Sequence, residues 1–184
     1  LTEALGIENP FDETGEKNET DEMREEKLAE IMSDVFTDDV VESWDSLTDE
    51  QRNELLDEYY TRAGEELGIT ATHVYYEDIH SIYPGTDGYS QGDGTVHVDS
   101  SLSFADTLNT VTHEMRHQFQ SEAIANPEKF PDISEETIQR WQYECDNYIN
   151  GDYDLEAYAN QLIEIDARGF AESIVDKYSE ELSL

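Results

Sequence analysis

Apolar residues recur at helical spacing between residues 21 and 44. Met23, Leu28, Ile31, Met32, Val35 and Phe36 gather on one side at about 100° per residue, which predicts an amphipathic helix. Thr48 opens a second helix. Its hydroxyl suits an N-cap, Asp49 and Glu50 suit the positive end of the helix dipole, and Gly68 suits the terminus. Leu55, Leu56, Tyr59 and Leu67 supply the apolar side.

The period then changes. ITATHVYYEDI, Ile69 to Ile79, is rich in β-branched and aromatic residues and predicts a strand. TVHVDSSLS, Thr95 to Ser103, alternates. Val96 and Val98 fall on one face and Thr95, His97 and Asp99 on the other, as in a short half-buried strand at a sheet edge. The intervening YPGTDGYSQGDG, Tyr83 to Gly94, carries four glycines and predicts a loop.

Helical spacing returns at Phe104 and runs to Ala125, before Pro127. A further helix is expected from Ser134 to near Gly151, and a last one from about Tyr153 to Tyr178. Residues 1–20 show no period and predict an irregular leader. Helices, a few strands, then helices again point to an α+β fold. The expected division is a leader at 1–20, an N-terminal helical segment at 21–68 and a main domain at 69–184.

Charge narrows the partners. The chain has 46 acidic and 10 basic residues, a formal net charge of -36. Such a chain repels nucleic acid phosphates and anionic membranes, so neither is expected as a partner. The charge is spread evenly, which points to host or solubility rather than to a special acidic tail. Eleven tyrosines beside a low hydrophobic fraction of 36% argue against disorder throughout. The single cysteine, Cys145, excludes an internal disulfide and a cysteine-rich zinc site. No apolar stretch is long enough to span a membrane and no signal peptide is expected, so the chain reads as soluble, cytoplasmic or secreted. Composition leaves the oligomeric state open.

The chemistry lies in TVTHEMRHQF, Thr110 to Phe119. His113 and His117 project from one helix face, about 40° apart, while Leu108, Val111, Met115 and Phe119 gather nearly opposite. The helix can bury its stripe and turn both imidazoles to a cleft. Glu114 stands beside them, placed to act on a metal-activated water rather than to bind the metal. A catalytic zinc needs three protein ligands and one open position. No third histidine follows His117. His73, His80 and His97 lie upstream, where packing or surface roles are expected.

The downstream carboxylates are Glu156, Glu164 and Asp166. In an unbroken helix, Glu164 shares its face with Ala157, Asn160, Gln161, Arg168 and Ala171, mostly residues that let another helix approach. Asp166 points roughly 160° away, and Glu156 lies about 80° round and about 12 Å back. Glu164 is therefore favoured as the third ligand, with Glu156 and then Asp166 as alternatives.

With HEMRH and Glu164-Ile165-Asp166-Ala167 in hand, the stretch from about Thr72 to Val175 resembles the zincin metallopeptidases of the gluzincin kind, and also short bacterial and mobile-element HExxH domains. In gluzincins a glutamate on a later helix completes the HExxH site. The resemblance implies a zincin-like domain at 69–184 and one zinc ion on His113, His117 and Glu164. It implies peptide-bond hydrolysis with Glu114 as general base, and a peptide or protein substrate. It also implies an edge strand above the site, which places Thr95, Val96, His97 and Val98 against an extended substrate by strand addition. Gluzincins often add a tyrosine or histidine at the oxyanion; Tyr143, Tyr153 and Tyr158 are candidates, and none is assigned. Arg116 is expected in a surface salt bridge. The alternative to an enzyme is a catalytically inactive zincin-like module, binding or structural, of a larger protein.

Overall fold

Thr48 starts its helix as its chemistry demands. The hydroxyl accepts from the Gln51 N–H at 3.3 Å, and Gln51 Oε1 accepts from the Thr48 N–H at 3.0 Å, a reciprocal cap. Gly68 closes the same helix in the left-handed region, at φ 71°. These features come from a computed structural model that describes residues 19–151 and 153–182. The expected leader at 1–20 lies outside the described residues, except for Glu19 and Thr20, which begin the first helix.

The helices are α1 (Glu19–Val35), α2 (Asp38–Ser43), α3 (Asp49–Leu67), α4 (Phe104–Ala125), α5 (Glu135–Asp146), α6 (Leu155–Ala159) and α7 (Leu162–Leu182). The strands are β1 (His73–Glu77), β2 (Gly88–Ser90) and β3 (Thr95–Asp99). This is the α+β arrangement expected. The single helix expected over 21–44 is instead α1, α2 and a 3-10 turn at Trp44–Ser46. Thr37 is extended, with φ -65° and ψ 165°, and the chain folds back there so that Trp44 meets Phe36 edge-on at 6.2 Å.

One hydrophobic core joins α1, α3, β1, β3, α4, α5 and α7. It includes Leu28 and Phe36, Tyr59 of α3, Val98 of β3, Met115 of α4 and Ile174 of α7. The N-terminal helices thus share the core of the site-bearing elements. Tyr178 donates its hydroxyl to the Phe36 carbonyl at 2.6 Å, and Ser173 donates to Glu25 at 2.6 Å, fastening α7 to the N-terminal helices. Among the described residues, no helix is long and apolar enough to cross a membrane.

The sheet order is β1-β3-β2, with β1 parallel and β2 antiparallel to β3. This corrects the placement of Thr95–Asp99. β3 is the central strand, and Val96, His97 and Val98 have pairing partners on both sides, so strand addition along β3 is blocked. The loop expected over 83–94 contains β2, the strand that occupies the edge.

The two sheet edges differ. On β1, the Val74 N–H donates to Asp57 Oδ1 at 2.6 Å and the Tyr76 N–H to Asn53 Oδ1 at 2.9 Å, so side chains of α3 cover that edge. On β2, the Asp99 N–H donates to the Asp87 carbonyl at 2.8 Å. Antiparallel alternation then turns Tyr89 toward β3 and the backbone groups of Gly88 and Ser90 outward. No strand among the described residues pairs with that outer edge.

Gly88 also lets β2 lie close to α4. A Cβ there would stand 2.5 Å from Thr110 Cγ2 and 2.7 Å from the His97 carbonyl oxygen. Gly88→Ala should destabilise the fold by roughly 1–3 kcal/mol. A lower denaturant midpoint at unchanged slope is the expected result; an unchanged midpoint would mean that β2 moves aside at no cost.

Candidate metal centre

Ser103 caps α4, accepting from the Asp106 N–H at 3.2 Å. The helix then buries Leu108, Val111, Met115 and Phe119, as the period predicts. Its opposite face holds His113 and His117, both half-buried, with their Nε2 atoms 3.0 Å apart. Glu164 comes from the first turn of α7. Its Oε2 is 3.4 Å from His113 Nε2, and its Oε1 is 3.5 Å from His117 Nε2. One donor atom from each of the three residues can be chosen so that all lie within 4.8 Å of one another.

Two fully buried alanines, Ala167 and Ala171, line α7 where small side chains favour close helix packing. Ala171 belongs to the small-residue face expected for Glu164. Ala157 and Asn160 do not share that helix, because the single helix expected from Tyr153 to Tyr178 breaks after α6. Gln161 causes the break by gripping the chain at Ile149. Its Oε1 accepts from the Ile149 N–H at 2.8 Å and its Nε2 donates to the Ile149 carbonyl at 3.0 Å. Glu144 then accepts from the Ile163 N–H at 2.7 Å and satisfies the first turn of α7.

Glu164 is 1% exposed. Its Oε1 accepts the Tyr148 hydroxyl at 2.7 Å, while its buried Oε2 has no hydrogen-bond partner. A buried carboxylate oxygen without a partner is costly unless a cation satisfies it. Two imidazole nitrogens facing one another beside that oxygen make a donor set suited to a divalent metal ion. The residues present therefore fit a metal.

The electrostatics agree. Burial raises the Glu164 carboxyl, but its polar contacts with His113 and His117, the charge of His117 and the hydrogen bond from Tyr148 outweigh it and hold the group well below the usual range. Burial lowers His117, yet hydrogen bonding to Glu164 and the charges of Glu114 and Glu164 push it up to about 9. Burial pushes Glu114 up. His117 and His113 act against it, and the charge of Glu164 adds to it.

A sign follows for metal uptake. Below its raised pKa, His117 carries a proton that a metal must displace, so affinity must rise with pH. Metal Kd should tighten by about tenfold per unit between roughly pH 7 and 8.5. Titrations with a chelator competitor check this, and a Kd flat across that window would mean that His117 loses its proton below it.

Comparison of the chain with protein-family models, curated proteins and solved structures finds no match. The geometry of its own residues carries the functional reading.

The alternative ligands lie elsewhere. Glu156 is exposed on α6. Asp166 stays outside the three-donor group and pairs with Arg116 at 2.8 and 2.9 Å. Arg116 itself is not at the surface: it is 1% exposed, over the rings of Phe119 and Phe170 at 4.8 and 4.5 Å. The upstream histidines join carboxylates outside the metal group: His73 with Asp57, His80 with Asp87 and His97 with Glu77. His97 also stacks between Tyr75 and Tyr89, which fits the packing role expected of it.

Of the tyrosines expected near the site, Tyr153 is 90% exposed and Tyr143 is also exposed. Tyr158 packs edge-on against Tyr148 at 6.1 Å, and burial and the charge of Glu164 raise its pKa. Tyr148, which touches Glu164, went unremarked in the sequence. It lies between helices, and nothing local separates it from ten other tyrosines.

Proposed function

We propose that this chain is a zinc-dependent peptidase of the gluzincin kind, hydrolysing a peptide bond in a peptide or protein substrate. One observation carries the reading: His113, His117 and Glu164 converge, and the buried Glu164 Oε2, 3.4 Å from His113 Nε2, makes no hydrogen bond. Zinc held by these three residues would polarise the scissile carbonyl and acidify a water at its open position. Among the described residues the donor group stops at three, which favours an open site over a closed structural one.

Glu114 is the general base. It takes the proton of the attacking water and passes it to the leaving amine. Burial raises its proton affinity toward that task. Its side chain lies against β2, since a Cβ on Gly88 would stand 3.4 Å from Glu114 Cγ. The Ser90 N–H hydrogen-bonds Glu114, and the outward backbone of Gly88 and the Ser90 carbonyl offer an extended substrate an edge to pair with beside it. This moves the substrate edge from Thr95–Val98 to β2. Tyr148 and Tyr158 flank Glu164 and wall the site on the α7 side.

The test is metal analysis of the purified chain together with a peptide-library digest read by mass spectrometry. One zinc per chain and chelator-sensitive cleavage are expected. Zinc without cleavage would overturn the peptidase reading in favour of a zincin-like binding module.

A further inference from the structure

His117 is gripped from behind. Its Nδ1 lies 2.8 Å from Gln120 Oε1. The far end of that amide donates to the Ile163 carbonyl at 3.0 Å and to Asp166 Oδ2 at 2.6 Å. Both are acceptors, so they fix which end of the amide is nitrogen, and only an oxygen can face His117. An amide oxygen accepts, so Nδ1 must be the protonated nitrogen. The lone pair of the neutral ring then sits on Nε2, the atom facing His113 and Glu164.

Asp166 is held in turn. Arg116 donates to it from Nε at 2.8 Å and Nη2 at 2.9 Å, and to Asp21 of α1 from Nη1 and Nη2 at 3.2 Å. The guanidinium is buried between aromatic rings and has no freedom to release its acids. A chain of polar contacts thus runs from α1 through Arg116, Asp166 and Gln120 to the back of a metal ligand.

We propose that Gln120 is the positioning residue of the metal centre: clamped by Asp166 and the Ile163 carbonyl, it fixes the His117 tautomer that presents Nε2 to the ion. Arg116 and Asp21 hold the clamp. The fourth residue of HEMRH is therefore part of the site's support. The inference rests on the metal-site reading above and goes beyond it to a residue that touches neither metal nor substrate.

The test uses the full chain, with zinc alone as ligand. Zinc Kd comes from competition with a chromogenic chelator, and the Nδ1–H of His117 is followed by NMR in zinc-loaded, 15N-labelled protein. Wild type should show a protected Nδ1–H. Gln120→Leu should weaken zinc binding by about 10–100-fold and lose that protection. Gln120→Glu keeps an oxygen facing His117 Nδ1, and beside the Asp166 carboxylate and the Ile163 carbonyl its other oxygen stays protonated and donates to Asp166. It should keep the resonance and most of the affinity, which mere packing would not explain. If Gln120→Leu does not fold by circular dichroism, Gln120→Glu decides alone. Wild-type zinc binding with unchanged Kd and protection in Gln120→Leu overturns the positioning role only. So does a folded Gln120→Glu no better than a folded Gln120→Leu, or one that lacks the protected Nδ1–H. A wild type that binds no zinc overturns the metal reading and this inference together.

Discussion

Glu114→Gln is expected to bind one zinc per chain with wild-type affinity and to cleave peptide about a hundred to ten thousand times more slowly, the usual worth of a positioned general base. The two functions separate because Glu114 stands outside the three-donor group. Glutamine keeps the shape of the side chain against β2 but cannot take a proton. The variant also removes a buried carboxylate whose charge favours the protonated form of His117. The same charge also attracts the cation, so the two effects offset and zinc affinity near neutral pH should hold. Cleavage at the wild-type rate would assign the proton transfer to another group.

Glu164→Ala should weaken zinc binding by more than about 100-fold, since loss of a mere outer hydrogen-bond partner already costs 10–100-fold. Thermal unfolding gives an independent readout. Zinc at 100 times its Kd stabilises the folded wild type by about 2.7 kcal/mol, and the variant should lose that zinc-dependent shift. Glu156→Ala should keep it, because Glu156 is exposed on α6. A variant at Glu164 with unchanged metal content would leave the two histidines without their proposed partner.

How far the sequence revealed this molecule depended on the range of the forces involved. α3 and α4 were legible because their caps, stripes and terminators are local: Thr48, Gly68 and Ser103 act within one turn. The three converging side chains were legible for the same reason. His113 and His117 share one helix face, and Glu164 needed only the face of α7 that small residues mark. What escaped was set by distant partners. The break between α6 and α7 comes from Gln161 and Glu144 bonding to backbone 12 and 19 residues away. β2 has three residues, too few to show a period, and it opens on Gly88, where α4 and β3 leave no room for a Cβ. β3 looked like an edge because Thr95, His97 and Asp99 alternate with valines, yet Asp99 is buried, and a polar face does not leave a backbone unpaired. Arg116 looked like a surface residue because its acids, Asp21 and Asp166, lie 95 and 50 positions away.

The proposed function requires an open centre made of two imidazoles and one carboxylate. Zinc-edge X-ray absorption on the loaded wild-type chain tests it most directly. The predicted spectrum has two imidazole nitrogens at about 2.0–2.1 Å, a carboxylate oxygen at about 2.0–2.2 Å and one solvent position that an added hydroxamate replaces. A centre with four protein donors and no response to hydroxamate, or one lacking two imidazoles, would contradict it.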